Sequence, residues 1–320
     1  MIALGLDVLI LVGGIGVLYF GAEWLVRGAA RLAAALGVRP IVVGLTIVSF
    51  GTSAPELVVC GLAAWGGNPD LAVGNVMGSN LANLGLILGL TALMRPLDVA
   101  ARVVSREVPL MLLATLSLYP LAWDGGLSRG DGAILLVGLA AYLLFVFRSV
   151  DEESEEVLHE YEEFVEASAH PGLQVDPKDV LQVVAGCGGL VLGGWAIVEG
   201  AVSVGTALGV SQVVIGLTVV AVGTSLPELA TSLVATVRQE ADIAVGNIIG
   251  SNIFNVLGIL GTSALIEPIA FAEQILVREL PAVLILSFLV LPFVWSGWQI
   301  RRWEGAVLLG SYFALGAWLL

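Results

Sequence analysis

The sequence predicts an all-α integral membrane protein of ten transmembrane helices, laid out as two inverted five-helix repeats with interrupted helices at the bilayer midplane. Composition is the first ground. Of 320 residues, 58% are hydrophobic and only 12% charged, with a mean hydropathy of +0.98. A water-soluble domain of that balance lacks the polar surface to cover itself. Internal repetition is the second ground. GTSAPEL at 51–57 returns as GTSLPEL at 223–229, and AVGNVMGSNLAN at 72–83 returns as AVGNIIGSNIFN at 244–255, both 172 positions on. Arg106, Glu107 and Pro109 return as Arg278, Glu279 and Pro281 at the same offset, so the duplication covers nearly the whole chain and is read before any single element.

A bilayer crossing takes ~20 mainly apolar residues. Ten stretches qualify, near 4–26, 38–64, 71–93, 103–122, 130–149, 179–200, 210–236, 242–264, 275–295 and 304–320. No basic n-region precedes the first, which is therefore expected to be a retained helix rather than a cleaved signal. The second and seventh carry the GTSxPEL segments, and the third and eighth carry the AVGN segments. The fourth and ninth open on the repeated Arg-Glu-x-Pro. The fifth runs into DEESEEVLHEYEEFVE, whose nine acids supply much of the net charge of −14. Val157, Leu158, Tyr161 and Val165 recur there at helical spacing, which predicts a short amphipathic surface helix. This divides the chain into a first repeat at 1–149, an acidic loop at 150–178 and a second repeat at 179–320. Cys60 and Cys187 both lie in apolar stretches, and indicate neither a disulfide framework nor a thiolate metal site.

Charge placement gives the topology. Eleven of the 13 basic residues fall in alternate loops: Arg27, Arg31, Arg39, Arg95, Arg102, Arg106, Arg148, Lys178, Arg238, Arg301 and Arg302. Arg129 and Arg278 alone fall on the other side. Positive-inside bias assigns the richer side to the cytoplasm, so both termini are expected outside a cell membrane and the acidic loop inside. Five crossings per half is an odd number, so the second half enters the membrane upside down. Inverted repeats that build a midplane site on interrupted helices are the plan of many alternating-access transporters.

Glu56 and Glu228 fall inside apolar sequence, where an ionisable side chain marks a functional site by default. Pro55 and Pro227 lack an amide hydrogen and clash with the carbonyl four residues earlier, so they are expected to break their helices and free the carbonyls of Gly51 and Gly223. Open backbone at that depth needs a partner, and a dehydrated cation can supply it. Thr52, Ser53, Thr224 and Ser225 add neutral oxygens beside the acids. Ser79 and Asn83 stand four apart, as do Ser251 and Asn255, so each pair shares a helix face. Asn75, Asn80, Asn247 and Asn252 are expected to make interhelical hydrogen bonds instead. Two carboxylates among neutral oxygens, with no His or Cys, form a hard-cation set. Calcium takes ~6–8 such oxygens in flexible geometry, whereas magnesium dehydrates reluctantly. Two Glu balance one divalent or two monovalent ions, and the unloaded pair is costly to bury. That shared requirement is a physical basis for exchange.

GTSxPE in each half, followed by GNxxGSNxxN, resembles the alpha-1 and alpha-2 repeats of the calcium/cation antiporter superfamily, and within it the sodium/calcium exchanger branch. The likeness covers essentially the whole chain. It implies that Glu56 and Glu228 are shared calcium and sodium ligands, with Thr52 and Thr224 contributing to calcium through backbone oxygen. Ser53, Ser79, Ser225 and Ser251 would flank them as sodium ligands, joined by the backbone oxygens of Ser49 and Ala221, and Asn83 and Asn255 would line the centre. Some relatives carry Asp where this chain has Asn255. The proton-coupled branch usually has a different motif before its acid, so the Gly-Thr-Ser form implies sodium coupling. The resulting expectation is a sodium/calcium antiporter with Ca2+ and Na+ as transported ions, with proton/calcium exchange or a passive cation channel as the alternatives. No nucleophile, cofactor loop or hydrolase constellation is present, so neither enzymatic activity, a cofactor nor a nucleic-acid partner is expected. A monomer or weak oligomer in the lipid bilayer is expected.

Overall fold

Apolar runs punctuated by glycine and proline become helices in the computed structural model, which describes residues 2–100, 103–166, 175–208, 223–295 and 297–319. The helices are α1 (Ile2–Leu36), α2 (Pro40–Thr52), α3 (Ala54–Trp65), α4 (Asp70–Met94), α5 (103–121), α6 (Arg129–Glu166), α7 (Pro177–Ala207), α8 (Leu226–Val237), α9 (Ala241–Ile266), α10 (Ile275–Trp295) and α11 (Arg302–Leu319). Among the described residues six helices are long and apolar enough to cross a membrane, within α1, α4, α6, α7, α9 and α10, and counting the bent pair α2 and α3 as one span makes seven. The expected spans at 103–122 and 304–320 appear as α5 and α11, outside those six. Of the span expected at 210–236, residues 210–222 lie outside the described residues and the remainder holds α8.

Hydropathy alone ends the first helix near Val26, yet α1 continues to Leu36. RGAARLAAAL, at 27–36, is rich in Ala, Leu and Arg, whose helix propensity outweighs the single Gly28. Gly37 stops it, with φ at +65°. Its N–H reaches the carbonyl of Ala34 at 3.2 Å and that of Val38 reaches Ala33 at 3.0 Å, the paired bonds of a left-handed C-cap. Gly67 closes α3 in the same way, through Ala64 and Ala63. Its counterpart 172 residues on is Gln239, which caps α8 through Thr236 and Ala235 with φ at +67°.

Two short strand pairs fix the relation between equivalent helices. Leu97–Asp98 (β1) pairs with Gln299–Ile300 (β4), and Gly126–Leu127 (β2) pairs with Ile269–Ala270 (β3), both antiparallel. α5 runs from β1 to β2, and α10 from β3 to β4. The start of α5 therefore lies beside the end of α10 and the reverse, so these two equivalent helices run in opposite directions.

Helices α1 and α7 pack along each other through glycines spaced by seven, at 14, 21 and 28 and at 186, 193 and 200. A Cβ on Gly21 would stand 2.7 Å from the backbone nitrogen of Leu190, and one on Gly193 would stand 2.5 Å from that of Leu18. Small residues let helix backbones approach this closely. The pair lies at the periphery: only 33% and 28% of their most apolar stretches are buried, against 78% of that stretch in α4 and 94% in α9. The enclosed centre therefore belongs to the two helices that carry the repeated AVGN segments.

Candidate functional site

The interruption of the first GTSxPE helix falls on serine. α2 and α3 meet at Ser53 with a bend of 46°, where φ and ψ are −86° and 6°, and Ser225 before α8 has −88° and 6°. Pro55 and Pro227 occupy the first turns of the new helices, where a missing N–H removes no helical bond. The break thus comes two residues before the proline, and Glu56 and Glu228 enter the first turns of α3 and α8. The positive end of each helix dipole faces its carboxylate there.

Both carboxylates are buried, at 1% exposure, and lie near enough to sense each other's charge. Ser53 Oγ donates to Glu228 Oε1 at 2.8 Å, which joins one repeat's motif to the other's acid. Glu228 Oε2 and both Glu56 oxygens have no hydrogen bond to another residue. The same is true of Ser251 Oγ, of both amide atoms of Asn83 and of Asn255 Oδ1, all buried. Leaving one such group unpaired costs ~1–3 kcal/mol, more for a charge, so a concentration of them calls for a ligand. Packing brings the groups together: α8 lies against the turn of Asn83, and α3 against that of Asn255.

Those turns are π-helical. Ala82–Ile87 within α4 and Asn255–Leu260 within α9 interrupt the α ladder, and such single-turn bulges recur at functional sites. Gly44–Val48 likewise precedes Ser49. Ser49 is buried, with its hydroxyl on the carbonyls of Leu45 and Thr46 and its own carbonyl accepting from Ser53 N and Thr52 Oγ1. Ser225 Oγ donates to Ser79 Oγ at 3.3 Å. Ala221 lies outside the described residues.

The asparagines of the GN segments hold the threonines across the repeats. Thr52 Oγ1 donates to Asn247 Oδ1 at 2.9 Å, and Asn247 Nδ2 reaches Ser232 Oγ at 3.1 Å. In the other half Thr224 Oγ1 donates to Asn75 Oδ1 at 3.4 Å, and Asn75 Nδ2 reaches Cys60 Sγ at 3.4 Å. Their contact with the site has one signal in the sequence, a second asparagine repeated at fixed distance from the acid. Glu23 lies elsewhere, in contact with Arg27 and Arg238. Among the described residues no three His, Cys, Asp or Glu gather as a metal cluster, so the centre is two carboxylates amid neutral oxygens.

The model of the sodium/calcium exchanger protein family matches residues 6–148 and again 178–320. The sodium/calcium exchanger MaX1 of Methanosarcina acetivorans is 34% identical over 338 residues, covering 96% of each chain. The inner membrane protein YrbG of Escherichia coli is 36% identical over 307 residues, 95% of this chain and 93% of that one. A solved structure of the sodium-calcium exchanger NCX_Mj, soaked with zero Na+ and Ca2+, superposes with a TM-score of 0.85 at 29% identity over 100% of both chains. A family match over both halves, on a fold whose acids and the serine turns before them recur at one offset, establishes that this chain belongs to the sodium/calcium exchanger family.

Proposed function

We propose that the protein exchanges Na+ for Ca2+ across a cell membrane by alternating access, with both ions bound in turn at Glu56 and Glu228. The observation that carries this reading is the set of buried, unpartnered oxygens on Glu56, Glu228, Asn83, Asn255 and Ser251. One calcium or two sodium ions neutralise the paired carboxylates and supply the missing partners. Without cations the two acids are a buried pair of like charges, which is costly away from water. The protein therefore crosses between its two faces loaded, and the loaded crossing couples one ion's gradient to the other's movement. Thr52, Thr224, Ser53, Ser225, Ser79 and the carbonyls of Ser49 and Ala221 complete the shell.

The same reading takes the chain as ten crossings in two inverted repeats, 1–149 and 179–320, joined by the cytoplasmic segment 150–178. The opposed directions of α5 and α10 and the two separate family matches support it. It also takes the termini as outside the cell and the unit as a monomer or weak oligomer. Sealed vesicles containing the purified chain and loaded with sodium should accumulate radiocalcium when diluted into sodium-free buffer. Uptake that follows an imposed proton gradient and ignores sodium would replace sodium coupling with proton coupling.

A further inference from the structure

Asn80 is fully buried and stands outside the ion-ligand set. Both ends of its amide are used. Nδ2 donates to the backbone carbonyl of Asn252 at 3.3 Å, and Oδ1 accepts from Nδ2 of Asn255 at 2.9 Å. A backbone carbonyl can only accept, so it selects the NH2 end of Asn80. The oxygen of Asn80 is thereby turned to Asn255, which must answer with its own NH2. Reversing Asn255 would set two acceptor oxygens face to face. The orientation that a side-chain amide otherwise leaves open is thus fixed by a two-step relay from the main chain. What remains is Oδ1 of Asn255, a buried acceptor without a donor. It sits on the first residue of the π turn against which the Glu56 helix packs.

We propose that Asn80 is a positioning residue, holding the Asn255 amide so that its oxygen and not its NH2 faces the transported cation. This rests on Asn255 belonging to the cation site. The relay acts on one half alone. The counterpart of Asn80 is Asn252, whose Nδ2 turns back to the carbonyl of Ile248 at 2.7 Å, and both ends of Asn83 are without a partner. An amide oxygen attracts a dication while an NH2 repels it, so losing the relay weakens calcium binding even though Asn80 never touches the ion.

Calcium binding to the purified full-length protein, measured by titration calorimetry, tests this in Asn255→Ala, Asn80→Leu and the double variant. Asn255→Ala should weaken binding about ten-fold, as expected for a dipole lost from a charged group. Asn80→Leu, close in volume, should weaken it nearly as much. The double variant should bind no worse than Asn255→Ala, because Asn80 acts through Asn255. Losses that multiply in the double variant mean a general structural role and overturn the proposal. So does wild-type binding by Asn80→Leu when Asn255→Ala is weakened. Unchanged binding in Asn255→Ala removes Asn255 from the site and the relay with it, while sodium-driven uptake by the wild type still judges the exchange reading separately. Should Asn80→Leu fail to fold, Asn80→Ala carries the same expectations.

Discussion

Glu56 and Glu228 differ in their surroundings although their motifs are near-identical. Glu228 Oε1 is held by Ser53 at 2.8 Å, while neither oxygen of Glu56 is bound to another residue. In the proposed site each supplies one of the two charges that balance calcium, so Glu56→Gln and Glu228→Gln should each abolish sodium-driven calcium uptake in vesicles while the protein stays folded by thermal melting. A lost contact to a buried charge is worth ~1.5–3 kcal/mol or more, and near-normal uptake by either variant would falsify the paired-acid site. Asn255 carries a second test. With only two carboxylates at the centre, calcium plus potassium would leave an excess positive charge, so wild-type exchange should proceed equally well when potassium is replaced by an inert organic cation. Asn255→Asp adds the missing charge and should introduce potassium sensitivity, and wild-type uptake that collapses without potassium would disprove the charge balance. Glu23 could not rescue it, being engaged with Arg27 and Arg238. The acids and hydroxyls were legible in the sequence because each recurs at one offset. The roles of Asn80 and Asn247 were not, because an asparagine in a membrane helix reads equally as helix–helix glue. The π turns under Asn83 and Asn255 leave no local composition signal.

At the level of elements, left-handed caps end three of the helices, and the sequence supplies glycine at two of them and a residue with a Cβ at the third. Gly37 and Gly67 close α1 and α3, but the matching cap of α8 is Gln239 at φ +67°. A left-handed backbone strains any residue with a Cβ, so Gln239→Gly should stabilise the protein by about 0.5–1 kcal/mol after the extra chain entropy of glycine is set against it. A melting temperature in detergent that falls instead would mean that the Gln239 side chain has a compensating contact. The glycine seam gives a paired test on one helix. Gly21 faces the backbone of α7, whereas nothing lies within 4 Å of a Cβ on Gly16. Gly21→Ala should cost about 1–3 kcal/mol through forced separation of the helices, whereas Gly16→Ala, with open space around it, should leave the protein unchanged or more stable by up to about 1 kcal/mol. Equal melting temperatures for the two variants would show that α1 and α7 are not held by this contact. The full length of α1 escaped hydropathy because the helix continues past Val26 on propensity and capping, after its uninterrupted apolar run has ended.

Across the whole molecule, the strand pairs sort the charged loops by end. β1 and β4 bring the loop of Arg95 against that of Arg301 and Arg302, and Arg302 donates to the carbonyl of Met94 at 3.3 Å. β2 and β3 do the same at the other end of α5 and α10, where Arg129 donates to the carbonyl of Ile266 at 3.2 Å. The strand pairs thus gather Arg95, Arg301 and Arg302 at one end of these antiparallel helices and Arg129 at the other. Membrane insertion retains Lys and Arg on the cytoplasmic side, so the β1 and β4 end should face the cytoplasm, and the acidic extension of α6 with it. Single cysteines placed at both ends of one background, lacking Cys60 and Cys187, decide the matter. Ser154→Cys should resist a membrane-impermeant thiol reagent in intact cells and react after permeabilisation. Asp124→Cys, exposed beside β2, should react in intact cells. The reversed pattern would invert the molecule in the membrane, and labelling of both sites in intact cells would require an even number of crossings between them in place of the single crossing assigned to α6.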